Sequence, residues 1–292
     1  MIGSLCMVVS EVRTSKGVFE TIDMTPCPSA LEDGDMRDVS TSKNQPVVAA
    51  GPKAEAGDPQ QAREQLEPLD ARARLLWAHE QFGSGFALTT SFGIQSSVLL
   101  HLLSGMDRGR DIPVIWVDTG YLPPETYRYA EDLRERFDLN LHIAQSSSSA
   151  ARMEALHGRL WESGVVEDME LYLKMRKVEP LEEAMHRLQV SCWASGVRRA
   201  QTDTRRTMTA LDPIRGRLSL RPLLDWTSRD VFYYMKENDL PQHPLFEKGY
   251  STVGDWHSSG PDGMEATGRD TRFAGLKQEC GIHVPGVMGD GI

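Results

Sequence analysis

The chain has 292 residues, of which 40% are hydrophobic and 25% charged, and its formal net charge is −10. That length can bury a sizeable core in one large or two small domains, and the acidic balance argues against a general nucleic-acid binder, which is usually basic. No apolar run reaches bilayer length, and Met1–Ser10 lacks a positively charged leader before Glu11, so a cytoplasmic protein without membrane contact is expected.

Residues 1 to about 65 are rich in Ser, Thr, Pro, Gly, Asp and Glu without a sustained period, and are expected to form a disordered extension. Order is expected from near Ala62. The stretch Ala71 to Phe82 spaces its apolar residues as a helix does. Phe86 to Thr90 reads as a short buried strand that runs into the polar loop Ser91–Ser97, and Val98 to Leu103 continues as a helix. Ile112 to Val117 is a second apolar strand, ending at Asp118-Thr119-Gly120. Pro123 and Pro124 then open a helix to about Phe137, since proline is tolerated in a first helical turn. Leu139 to Ala144 is a third strand. This alternation predicts an α/β fold, a mainly parallel sheet with helices on both faces. Ser191 to Ser195 and Leu218 to Leu223 read as further strands, and Thr227 with Asp230 starts a helix through Asn238 in the manner of a capping box. From His243 onward Gly, Pro and polar residues dominate.

Four segments carry candidate chemistry. The loop Ser91–Ser97 leaves a strand and enters a helix. Gly93 allows a close backbone approach, and the helix N-terminus with the hydroxyls of Ser91, Ser96 and Ser97 suits a phosphate. The loop matches neither common glycine-rich nucleotide motif, and an ordinary strand-to-helix turn remains open. Asp118-Thr119-Gly120 lies at a strand's carboxyl end, where open parallel sheets bind ligands; a helix cap is the plainer role for Asp118. Between Gly196 and Arg221 seven arginines (Arg198, Arg199, Arg205, Arg206, Arg215, Arg217 and Arg221) face only Asp203 and Asp212. The arginine fork suits phosphate or sulfate, with Lys177 as a further cation, whereas scattered surface ion pairs are the bland reading. The fourth segment is the tail. The cysteines, Cys6, Cys27, Cys192 and Cys280, are widely spaced with no Cys-x-x-Cys pair, which speaks against a disulfide framework. A lone cysteine is usually a small buried apolar residue. Cys280 differs: it stands near the chain end between Glu279 and Gly281, with Lys277 and His283 close in sequence to favour a thiolate. A zinc half-site with His283 lacks its second cysteine pair.

Together these segments resemble the phosphoadenylyl sulfate reductases of the iron–sulfur-free, thioredoxin-dependent type. The resemblance covers about residues 65–283. It rests on SFGIQSSV (91–98), WVDTGYLPPETY (116–127), RKVEPL (176–181), GVRRAQ (196–201), HPLFEKGY (243–250), VGDWHS (253–258) and KQECGIH (277–283), in the family's order.

The resemblance implies a Rossmann-like adenine-nucleotide alpha-hydrolase (PP-loop) fold. It implies a nucleotide-binding domain over residues 66–260 and a mobile tail, 261–292, that carries the nucleophile. It further implies reduction of 3'-phosphoadenylyl sulfate to sulfite and adenosine 3',5'-bisphosphate in assimilatory sulfate reduction, through a thiosulfonate on Cys280. The catalytic residues would be Cys280 and His283, and the substrate-binding set Ser91, Phe92, Gly93, Gln95, Ser96, Asp118, Thr119, Gly120, Lys177, Arg198, Arg199, Arg205 and His243. No resolving cysteine stands beside Cys280, so external thioredoxin or glutaredoxin is the expected reductant, with no bound cofactor; a homodimer is also expected. Cluster-bearing relatives, which use adenylyl sulfate, carry four cysteines at positions held here by Tyr172, Leu173, Asp255 and Ser258, so no iron–sulfur cluster is expected. The chain departs from some relatives in having Ser258-Ser259-Gly260 where they have Thr-Thr-Arg, and in continuing past His283 to Ile292. Two other readings stay open, a cluster-free adenylyl sulfate reductase and an adenylating PP-loop ATP pyrophosphatase. Against the second, Phe92 and Gln95 replace that loop's usual glycine and carboxylate.

Overall fold

A computed structural model describes the backbone of residues 5–14 and 17–26, and residues 58–263 and 282–283 in full. The chain divides into two units, residues 1–48 and 49–292. In the first, β1 (Leu5–Thr14) pairs antiparallel with β2 (Gly17–Pro26), with Leu5 opposite Pro26 and Thr14 opposite Gly17. The rest of the disordered extension expected for residues 1–65 falls largely outside the described residues. Both segments are rich in Val, Ile, Thr and Phe, residues that favour a pleated strand, a local signal lost when composition is averaged over 65 residues.

The second unit begins before Ala62, because Asp58 caps α1 (Pro59–Leu66) by accepting from the Gln60 amide. Asp70 caps α2 (Ala71–Phe82) in the same way. Then follow β3 (Phe86–Thr90), α3 (Ser96–Ser104), β4 (Val114–Asp118), α4 (Pro124–Phe137) and β5 (Leu141–Gln145). Beyond them come α5 (Ala150–His157), α6 (Val166–Leu173), α7 (Glu179–Arg187), β6 (Cys192–Ala194), β7 (Leu211–Ile214), β8 (Arg217–Leu220) and α8 (Ser228–Glu237). Between α6 and α7 the residues Lys174–Val178 form a π-helical turn. Such turns insert an extra residue into a helix and recur at functional sites.

Six strands form one sheet in the order β5-β4-β3-β6-β8-β7, all parallel except the edge strand β7. The period of two along each strand assigns the core to two layers. Phe86, Leu88, Val114, Trp116, Cys192 and Ala194 point to one face, in the cluster that includes residues of α2, α3, α4 and α8. Ala87, Ile115 and Trp193 point to the other, against Leu181, Ala184 and Met185 of α7. The mainly parallel sheet covered on both faces is the fold class expected from the sequence. After β3 the chain builds outward through β4 and β5, then returns to β6 on β3's other side. The β3/β6 boundary is therefore a topological switch point, where a crevice opens beyond the strand ends. Among the described residues, no helix is long and apolar enough to cross a membrane.

Candidate active site

The carboxyl ends of β3, β4 and β6 open onto one cavity at this switch point. Thr89, Thr90, Ser91, Gly93, Gln95 and Ser96 line it from the first loop, Val117 and Thr119 from the second, and Ser195 and Gly196 from the third. Lys177, Arg198 and Arg205 complete its charged lining, and no Asp or Glu lines it among the described residues. A crevice whose described lining carries three cations and no acid draws in anions.

The first loop is shaped by Phe92. Its backbone is left-handed, with φ 46°, and its ring is fully buried and meets the edge of Trp116 at 5.0 Å. A non-glycine residue in that region carries local strain that packing must hold. The ring anchors the loop in the core, so Phe92 itself does not line the cavity while Ser91 and Gly93 on either side do.

The Asp118-Thr119-Gly120 turn divides its labour. Asp118 accepts from the Gly120 amide at 2.8 Å, Tyr127 Oη at 2.6 Å and Gln145 Nε2 at 2.7 Å. Its carboxylate thus ties three elements together and does not line the cavity. Burial, with Asp118 as a hydrogen-bond acceptor, pushes the Tyr127 hydroxyl pKa well above its usual value. Gly120 has φ +76°, with Arg176 packed close behind it. Thr119 lines the cavity and donates through Oγ1 to Asp255 at 2.5 Å.

Asp255 is fully buried and binds Lys177 Nζ at 2.7 Å. The pair joins the loop after β4, the π-helical turn and the segment around residue 255. Beside it, Arg176 Nε donates to the Thr119 carbonyl at 2.8 Å, and its guanidinium lies 5.7 Å over the Tyr121 ring. Tyr172 Oη meets His257 Nε2 at 2.9 Å, and His257 stacks on Trp161 with ring centres 4.1 Å apart. Burial and then the Asp255 charge push the Tyr172 hydroxyl far above its usual pKa. The positions of the four cluster cysteines are thus a buried aromatic and carboxylate network. Tyr172, Leu173, Asp255 and Ser258 supply no thiolate, so their chemistry does not fit an iron–sulfur cluster.

Five arginines of the arginine-rich stretch are ion-paired, three of them with acids outside it. Arg199 pairs with Asp225 and Glu67, Arg215 and Arg217 with Glu182, Arg221 with Asp212, and Arg206 with Asp203. Arg199 is not among the residues that line the cavity. Arg198 and Arg205 do line it. Arg198 is buried, one nitrogen donates to Gln95 Oε1, and Nη1 has no hydrogen-bond partner among the described residues. Burial, helped by the Arg205 charge, lowers the Arg198 pKa to about 10. Ser195 Oγ, another lining group, is also buried without a described partner.

His243 belongs to the core. It is fully buried beside Tyr129, and Leu245 N–H donates to its Nδ1 at 3.1 Å, so the proton sits on Nε2 and is shared with Thr126 Oγ1 at 3.1 Å. Burial lowers its pKa to about 4. A neutral histidine with both nitrogens engaged is not available to a ligand. Cys192 is buried on the sheet, and burial pushes its thiol far above the usual range.

Cys280 and the expected mobility of the tail lie outside the described residues. Ile282 and His283 are described, and both line the cavity. Sequence reasoning missed Asp255, Gln201, Ser195, Gly196 and Ile282 as parts of this site. All except Ser195 fall within segments already singled out (GVRRAQ, VGDWHS and KQECGIH).

The phosphoadenosine phosphosulfate reductase domain matches residues 85–261. A phosphoadenosine 5'-phosphosulfate reductase of Synechococcus sp. is 55% identical over 221 residues, 75% of this chain and 94% of that protein. Its namesake from Synechocystis sp. is 47% identical over 222 residues, 76% of this chain and 88% of that protein. The crystal structure of the phosphoadenylyl-sulfate reductase from Candida auris, a phosphate complex, superposes with a TM-score of 0.60 at 28% identity, covering 69% of this chain and 96% of that one. With the switch-point cavity and its basic lining, these matches assign the chain to its family: it belongs to the phosphoadenosine phosphosulfate reductases.

Proposed function

We propose that this chain reduces 3'-phosphoadenylyl sulfate to sulfite, with Cys280 as nucleophile and a dithiol protein of the thioredoxin or glutaredoxin type as reductant. The observation that carries this reading is a cavity lined by Arg198, Arg205 and the Asp255-paired Lys177, with no Asp or Glu among its described lining residues, that also receives Ile282 and His283. Cys280 stands two residues before Ile282 in the sequence.

In the first step the Cys280 thiolate forms a bond to the sulfate sulfur. The bond from that sulfur to the bridging phosphate oxygen breaks, and its electron pair leaves with adenosine 3',5'-bisphosphate. Lys177, Arg198 and Arg205 offset charge on the nucleotide's anionic groups, and Arg198 Nη1 and Ser195 Oγ are donors already buried at the site. His283, beside the cavity, is suited to favour the thiolate. In the second step one thiol of the external dithiol attacks Cys280 Sγ and sulfite departs with the bonding pair. The second thiol then displaces Cys280, so two electrons pass from dithiol to sulfur. A reducing compartment such as the cytoplasm fits this need for free thiols.

Cys280→Ser tests the reading. Sulfite release with a thioredoxin system should vanish while adenosine 3',5'-bisphosphate still binds; normal turnover by this variant would refute the mechanism. A side-by-side assay should favour the 3'-phosphorylated substrate over adenylyl sulfate. Each charge-assisted hydrogen bond from an arginine to the 3'-phosphate is worth about 1.5–3 kcal/mol, and adenylyl sulfate has no such phosphate to accept it. Equal rates would sink that preference.

A further inference from the structure

Arg215 does not line the cavity, yet it holds the described part of the tail. It stands at the tip of the β7–β8 hairpin, where Arg215 (φ 48°) and Gly216 (φ 74°) form a two-residue turn with both central residues left-handed. That is the tight hairpin turn whose twist matches the flanking strands, so the position of Arg215 is fixed by the sheet. Glu182 of α7 orients the side chain, accepting from Arg215 Nε at 2.7 Å and also from Arg217. Arg215 Nη2 donates to the Ile282 carbonyl at 2.9 Å. Two further contacts complete the seat. The Ile282 side chain packs into the cluster of Ile115, Leu181 and Trp193. The His283 ring lies over Trp193, centres 5.3 Å apart and planes 23° from parallel.

We propose that Arg215 is a positioning residue for the tail: by gripping the Ile282 main chain it fixes the register in which Ile282 and His283 meet the cavity. The inference rests on the proposed reading of Cys280 as nucleophile. A grip on a carbonyl is blind to side-chain identity and sets only the count of residues to the thiol. A slip of one residue moves the chain by about 3.3–3.8 Å, as large as the reacting-atom separation of about 3–3.5 Å that a productive complex needs.

The test uses the full chain with Arg215→Gln and Arg215→Lys. Without nucleotide, iodoacetamide should alkylate Cys280 faster in Arg215→Gln, by about tenfold, the loss expected for one hydrogen bond to a charged group. Binding of adenosine 3',5'-bisphosphate and KM should stay within about twofold. The single-turnover rate of the sulfonate adduct on Cys280, read by mass, and kcat should fall by about tenfold. Arg215→Lys, which keeps one charged donor, should recover part of that loss. The inference is overturned if alkylation and adduct formation are both unchanged, or if nucleotide affinity falls as far as kcat. If neither wild type nor variant forms the adduct while alkylation still differs, the seat stands and the reading of Cys280 as nucleophile fails.

Discussion

Lys177 and Asp255 form a buried pair whose worth can be measured by a double-mutant cycle. Their contact is 2.7 Å, with side-chain exposures of 8% and 0%. Lys177→Met leaves a fully buried carboxylate without its cation, although Thr119 Oγ1 still donates to it. Asp255→Asn leaves an ammonium that still faces the cavity and is the milder change. Breaking one side of such a pair costs about 3–5 kcal/mol. For an ordered region of this size that lowers Tm by about 6–20 °C, at roughly 2–4 °C per kcal/mol. Removing both charges together removes the uncompensated charge, so Lys177→Met/Asp255→Asn should lie within about 2 kcal/mol of wild type. Urea unfolding of the four proteins gives the coupling energy. Single costs that simply add, within about 0.5 kcal/mol, would refute the pairing argument.

Three further outcomes are expected. His243 has a folded pKa of about 4 against an ordinary 6.5, lowered by burial and opposed in small part by Glu125. The unfolded chain therefore binds the extra proton between those values, and stability, full above pH 6.5, is lost as pH falls toward 4, by roughly 3 kcal/mol in all. Urea unfolding at pH 7.5, 6 and 5 should show this slope in wild type and a shallower one in His243→Gln. Gly109→Ala would set a Cβ 2.0 Å from the Leu103 carbonyl oxygen, and the backbone shift should cost about 3 kcal/mol, read as a lower Tm. Arg198→Gln should weaken adenosine 3',5'-bisphosphate binding about 10- to 100-fold with Tm little changed, measured by calorimetry.

The sequence was informative where the signal is local. The helix Ala71–Phe82 is found as read, and the Pro124 start and Phe137 end agree. The strand expected from Ile112 begins at Val114, after Pro113, which has no amide to give to the ladder. The strand Leu211–Ile214 was not anticipated; its Pro213 is tolerated because β7 is an edge strand. At the site, the loops at the strand ends were legible because Ser, Gly and Thr cluster after apolar runs. The roles of Phe92, Asp118, Arg199 and His243 were not, because each is decided by a distant partner: Trp116, Gln145, Asp225 and Thr126. Charge excess along the chain could not separate Arg198 and Arg205 from Arg215 and Arg217, since the neutralising Glu182 sits some thirty residues earlier on α7.

The π-helical turn at Lys174–Val178 makes the distance between two halves of the site a matter of whole residues. On its N-terminal side Tyr172 and Leu173 are locked into an aromatic cluster; on its C-terminal side Leu181, Ala184 and Met185 are locked against the sheet. Neither end can turn. Deleting one residue between them would restore a regular helix and leave both ends seated, because the turn absorbs one extra residue. The same deletion would still swing Arg176 and Lys177, which lie in the turn itself, out of register with Thr119 and Asp255. Substitutions along this stretch change strength by degrees, whereas insertions and deletions switch the site off outright, and natural length variation should be concentrated elsewhere.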